Sequence, residues 1–176
     1  MACFKPKYLS GREIIGKFAE RVKTIMDKLF HGSNVIVEHP DIRIRGYEKD
    51  FGYGFYCTAI ESQAKKWALS KKGNHVVNIY EFEGYNGYKT KVFSEMTEEW
   101  LDFVIDCRRG RRHDYDIVEG PMADDQIWNY IEDVVAGNIT RTAFWELAKF
   151  KHPTHQIVFC TQEAIRSIKY SSHYNL

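Results

Sequence analysis

FGYGFYCTAIESQAKKWA (51–68) changes character halfway along its length. Gly52 and Gly54 sit just ahead of the aromatic run Phe55-Tyr56, which predicts a tight turn feeding a short strand. From 61 to 71 the spacing of Ala64, Trp67 and Ala68 places them on one side of a helix. Twenty residues upstream stands His31-Gly32-Ser33, at an expected boundary where FHGSN interrupts an apolar period of three to four. That period runs over 11–29 through Ile14, Ile15, Phe18, Val22, Ile25, Met26 and Leu29 and predicts an amphipathic helix, with Ser10 and Glu13 spaced as a capping box.

Working outward, 35–38 is short and β-branched, and Ile42 and Ile44 alternate with Arg43 and Arg45. HVVNIYEF (75–82) predicts a strand. Gly84, Asn86 and Gly87 predict a turn, with 88–93 returning as the second arm of a hairpin. A helix is expected over 97–107, a basic loop RRGRRH over 108–113, and a strand over 115–118. Helices over 123–135 and 140–150 are separated by Gly137-Asn138; a strand over 156–160 and a helix over 162–170 follow. Strands and helices mix without strict alternation, so the expected class is α+β. The expected organisation is an N-terminal helical extension, 1–28, before one domain, 29–176.

Composition narrows the classes. The chain has 176 residues, 44% of them hydrophobic, enough to bury a core. Its 25 basic and 24 acidic side chains leave a formal charge of +1, which argues against general polyanion binding. No apolar run suits a membrane helix, and MACFKPKYLSGR lacks the apolar core of a secretory signal. Cys3, Cys57, Cys107 and Cys160 are scattered without a CxxC pair, so neither metal site nor disulfide framework is expected, and the expected location is cytoplasmic. Aromatic residues make up 15% of the chain; Tyr and Trp fill cores but also form flat walls for planar ligands.

His31-Gly32-Ser33, then Phe51-Gly52-Tyr53-Gly54-Phe55-Tyr56, then Trp67 resemble the ADP-ribosyltransferase superfamily in its diphtheria-toxin and poly(ADP-ribose)-polymerase branch. More narrowly, DFGYGFYCT…QAKKWA (50–68), DIVEGPMADD (116–125) and QIVFCT (156–161) resemble a family of small bacterial proteins known as domain of unknown function 3990. The resemblance spans about 29–170. It implies an ADP-ribosyltransferase-like split, bent antiparallel sheet with flanking helices and NAD, as co-substrate, in the cleft between its halves. It implies cleavage of the nicotinamide–ribose bond and transfer of ADP-ribose to a macromolecular acceptor, protein or nucleic acid. A toxin of a toxin–antitoxin pair, with an antitoxin protein as partner, is the corresponding role.

The implied NAD contacts are His31, Gly32, Ser33, Phe55, Tyr56 and Trp67. His31 would bond the adenosine ribose, the Gly32 backbone would pair with the carboxamide, and Tyr56 and Trp67 would sandwich the ring. Trp67 also suits a core position on its helix. Arg43 and Arg45, two apart in an extended segment, suit a pyrophosphate or a solvated edge equally. The family's strand-leading Glu, which favours the developing ribosyl cation, is replaced here by Gln156, which would orient the ribose without charge. Asp124, Asp125, Glu119 and Glu163 are then the candidate acids. Asp124 is the candidate base for the incoming nucleophile, although either aspartate also suits a helix N-cap. Two alternatives stand beside a transferase: a catalytically silent NAD- or ADP-ribose-binding module, and an RNA-binding protein using 108–113.

Overall fold

The computed structural model describes residues 27–42, 49–149 and 154–176. Its elements run β1 (Asp27–Ser33), β2 (Phe55–Cys57), α1 (Glu61–Leu69), β3 (Val76–Phe82), β4 (Thr90–Val92), α2 (Glu98–Arg108), β5 (Ile117–Gly120), α3 (Asp125–Ala136), α4 (Arg141–Ala148), β6 (Gln156–Phe159), α5 (Gln162–Ile165) and β7 (Ile168–Asn175). The class is α+β, with two sheets and five helices among the described residues. One sheet has the order β1-β3-β7, all antiparallel; the other has the order β2-β6-β5-β4, antiparallel except for the parallel pair β4/β5.

Strand alternation sorts the side chains into layers. Across the four-stranded sheet, Phe55, Phe159 and Ile117 form one row and Cys57, Ile157 and Glu119 the next on the same face. The apolar members of these rows pack with Leu29, Tyr80 and Phe82 of the three-stranded sheet. Tyr56, Val158 and Val118 point the other way, into a core of Trp100, Leu101, Val104, Ile127, Ile131 and Phe144 from α2, α3 and α4. On the far side of the three-stranded sheet, Ala64 and Ala68 of α1 pack against Val77 and Phe30. The order of layers is therefore helices, four strands, three strands, helix.

The glycines of the FGYG turn have separate reasons. Gly52 has φ 74°, a left-handed conformation, and donates its N–H to Lys49 O at 3.0 Å. A Cβ on Gly54 would lie 2.5 Å from Val158 Cγ1 and 2.7 Å from Phe159 O, so β6 passes too closely for any side chain there.

Four expectations need correction. The helix expected to reach Leu29 gives way to β1 from Asp27 onward; its earlier part, with the rest of the 1–28 extension, lies outside the described residues. His31-Gly32-Ser33 is accordingly the end of a strand, not a break after a helix. No hairpin joins 75–82 to 88–93: β3 has β1 on one edge and β7 on the other, so neither edge is free. The Gly84–Gly87 turn instead carries the chain to the other sheet, where β4 pairs with β5. Finally, the helix expected over 162–170 stops at Ile165, and Ile168–Asn175 becomes β7, completing the β3 edge. Among the described residues no helix is long and apolar enough to cross a membrane.

Candidate functional site

The two sheets meet where β1 passes β2. Phe30 donates its N–H to Thr58 O at 2.8 Å and accepts from Thr58 N at 2.9 Å. In an extended strand, alternate residues aim their N–H and C=O at the same edge. Gly32, two residues on, therefore aims both groups at that edge, beyond the single bridge Phe30–Thr58 and away from β3.

Beside this edge runs α1. A Cβ on Gly32 would lie 2.1 Å from Ala64 O, 2.7 Å from Ala68 N and 3.0 Å from Trp67 Cβ. Glycine is thus what lets the helix lie against the strand, and the contact brings Trp67 next to Gly32. Trp67 is 45% exposed, so it is not the core residue its helical spacing also suited. The Lys71 ammonium lies 5.1 Å from its ring centroid.

His31 points to the opposite face of β1, between the sheets. Its Nδ1 donates to Tyr56 O at 2.7 Å, which places a ring proton on Nδ1. Its imidazole lies 4.6 Å from the Phe55 ring, tilted by 30°. Ser33 closes the strand, its Oγ accepting from Val35 N at 3.3 Å.

Tyr56 and Gln156 are elsewhere: both side chains lie on the helix-covered face of their sheet, away from His31. The Tyr56 hydroxyl donates to Gly52 O at 2.7 Å and accepts from Phe51 N at 3.2 Å. Burial, reinforced by the Asp50 charge, pushes its phenol well above the ordinary tyrosine value, so it stays neutral. Gln156 is 4% exposed, and its amide donates to Asp50 Oδ2 at 3.0 Å and Pro121 O at 3.2 Å. Asp50, equally buried, also accepts from Ala123 N at 2.8 Å and Arg108 Nε at 2.9 Å; the Arg108 guanidinium lies 3.7 Å from the Trp128 ring centroid. The amide expected to orient a ribose is thus occupied in a buried network that ties the FGYG turn, α2, α3 and β6 together.

Gln156→Glu, the change that would supply the carboxylate the resemblance implies at this position, should therefore only destabilise the protein. It would set a second anion against Asp50 and remove the amide donor, costing about 2 kcal/mol near neutral pH. The like charge raises the folded-state pKa of the new carboxyl above its unfolded value. The deficit should therefore shrink as pH falls through that raised value, because protonation restores a donor. Urea unfolding at pH 5 and pH 7.5 measures both.

On the opposite face of the four-stranded sheet, the one that carries Phe55, is a cluster that the separate motifs did not bring together. Glu119 Oε1 accepts from His155 Nε2 at 3.0 Å, and Glu119 Oε2 accepts from the Tyr85 hydroxyl. His155 Nδ1 accepts from Ala59 N at 3.0 Å, which leaves the ring proton on Nε2. Gln63 of α1 grips the His155 main chain, accepting its N–H at 3.1 Å and donating to its carbonyl at 2.6 Å.

The remaining candidates are structural or uninvolved. Asp124 is the N-cap of α3, accepting from Ile127 N at 2.9 Å; the side chain of Asp125 is outside what is described. Glu163 pairs with Arg166 on the surface. Arg43 and Arg45 lie outside the described residues. Within RRGRRH, Arg108 is held by Asp50 and Arg111 by Asp106, leaving a smaller basic patch than four arginines suggest. Burial holds the Cys57 thiol well above its ordinary value and raises that of Cys160 to about 12, so neither is a thiolate nucleophile. Among the described residues no group of three or more His, Cys, Asp or Glu is arranged to hold a metal ion.

Fold and site together define a two-sheet α+β domain with a backbone edge and an exposed indole at the seam. Residues 27–170 match the model of the family described as "Protein of unknown function (DUF3990)", and the chain belongs to that family. No curated protein and no solved structure matches it.

Proposed function

We propose that the protein is an NAD-dependent ADP-ribosyltransferase that binds NAD at the seam between its sheets and transfers ADP-ribose to a macromolecular acceptor. The observation that carries this is Gly32. Its N–H and C=O face an edge of β1 that no strand among the described residues covers beyond Thr58, a donor and an acceptor spaced to pair with a primary carboxamide, and the exposed Trp67 leaves α1 alongside. A flat, cationic nicotinamide ring with a carboxamide arm fits that pair: the arm pairs with the backbone, and the ring stacks on the indole. His31 lies between the sheets on the same strand, its ring held by Tyr56 O and beside Phe55. Cleavage then sends the C1′–N bonding electrons to the ring nitrogen, neutralising it, while the acceptor's lone pair closes on C1′.

The test is release of nicotinamide from NAD by the wild type and by Trp67→Ala. Because Trp67 is exposed, the variant should fold with an unchanged melting temperature. Loss of one stacking wall, about 2 kcal/mol, should lower kcat/KM about 30-fold. Equal rates in the two proteins would sink the assignment. Binding of NAD without release would favour the silent module.

A further inference from the structure

We propose, on the reading that the seam takes NAD, that Glu119 is the carboxylate facing the reacting ribose and that His155 is its positioning residue. The parity of β6 is the first ground. Gln156 shares its face with Val158, turned to the helices, whereas Glu119 lies in the row Cys57–Ile157–Glu119 on the face turned to His31 and Phe55. The uncharged Gln at the start of β6 is therefore not what replaces the family's acid. The anion on the correct face comes from the neighbouring strand β5.

The way Glu119 is held is the second ground. Two donors, His155 Nε2 and the Tyr85 hydroxyl, fix one carboxylate oxygen each, in surroundings that leave the Glu119 side chain 17% and His155 18% exposed. The imidazole cannot turn away, since Ala59 N–H occupies its other nitrogen and Gln63 clamps its backbone on both sides. A carboxylate accepts about four hydrogen bonds, so a fixed anion with acceptor capacity remains for a ligand. Gln63 lies one turn before Trp67 on α1, so the same helix anchors the carboxylate and carries the indole that would stack on the ring.

In the step, the C1′–N bond breaks heterolytically and nicotinamide leaves neutral with the electron pair. Glu119 remains ionised throughout, accepting a ribose hydroxyl and stabilising positive charge at C1′. The acceptor, or water in a hydrolytic assay, bonds to C1′ and loses its proton to solvent. His155 acts only by holding Glu119, its other nitrogen being occupied by Ala59 N–H.

The experiment follows nicotinamide release, with kcat and KM separated, for wild type, Glu119→Gln and Tyr85→Phe, beside melting curves with and without NAD. Glu119→Gln keeps the shape of the side chain and should lower kcat on the order of 100-fold, with KM within about threefold. Tyr85→Phe removes one donor from the carboxylate and should lower kcat about fivefold at unchanged KM; it stands in if Glu119→Gln melts early. A kcat unchanged in both variants overturns the assignment while the NAD reading survives, and so does a wild type that binds NAD without releasing nicotinamide. A wild type whose melting NAD does not raise, and which releases no nicotinamide, overturns the NAD reading and the role of Glu119 with it.

Discussion

Asp50→Ala should cost about 3 kcal/mol of unfolding free energy, measured by urea denaturation followed through tryptophan fluorescence. Three donors converge on this one buried carboxylate: the Arg108 guanidinium, Ala123 N–H and the Gln156 amide. Removing it strands a guanidinium that is largely covered and already pressed on Trp128, together with two neutral donors in the core. Breaking a buried pair from one side costs several kcal/mol, because the remaining charge keeps its desolvation penalty without its compensation. Arg108 keeps some contact with water, which places the expectation at the lower end of that range. A loss under about 1 kcal/mol would mean that solvent enters and satisfies the stranded groups.

Gly32→Ala is the second large effect. The new methyl would sit 2.1 Å from Ala64 O and 2.7 Å from Ala68 N, and these are backbone atoms that no rotamer change can move. Either α1 lifts from β1, giving up the contact of Ala64 and Ala68 with Val77, or β1 bends at its bridge to Thr58. Overpacking of this kind costs about 3 kcal/mol, which for a domain of this size lowers the melting temperature by roughly 10 °C. A wild-type melting curve would show that α1 is free to move, and the tight strand–helix contact would be discarded as the reason for glycine.

Local signals were legible in the chain, and signals needing a distant partner were not. The turn and strand at FGYGFYC, the helix bearing Trp67 and the strand at 75–82 depend on neighbouring residues and come out where expected. The false hairpin at 84–93 had good turn chemistry; what defeated it was β7, which arrives from some eighty residues further on to take the edge the hairpin required. Gln156 opens its strand as expected, but its partner Asp50 is 106 residues away, so no spacing rule pairs them. Glu119 stands in a quoted motif as a candidate acid, whereas His155 falls one residue ahead of another and carries no signal of its own. Only the register of β5 on β6 reveals that they touch.

The strands of the two sheets are interleaved along the chain: β1, β3 and β7 build one, and β2, β4, β5 and β6 the other. Neither half can be completed from a contiguous stretch of polypeptide. During translation β3 has both its neighbours only once β7, Ile168–Asn175, has been made. A nascent chain interrupted just before residue 168 would leave one edge of β3 unpaired, although every strand of the other sheet had already been synthesised.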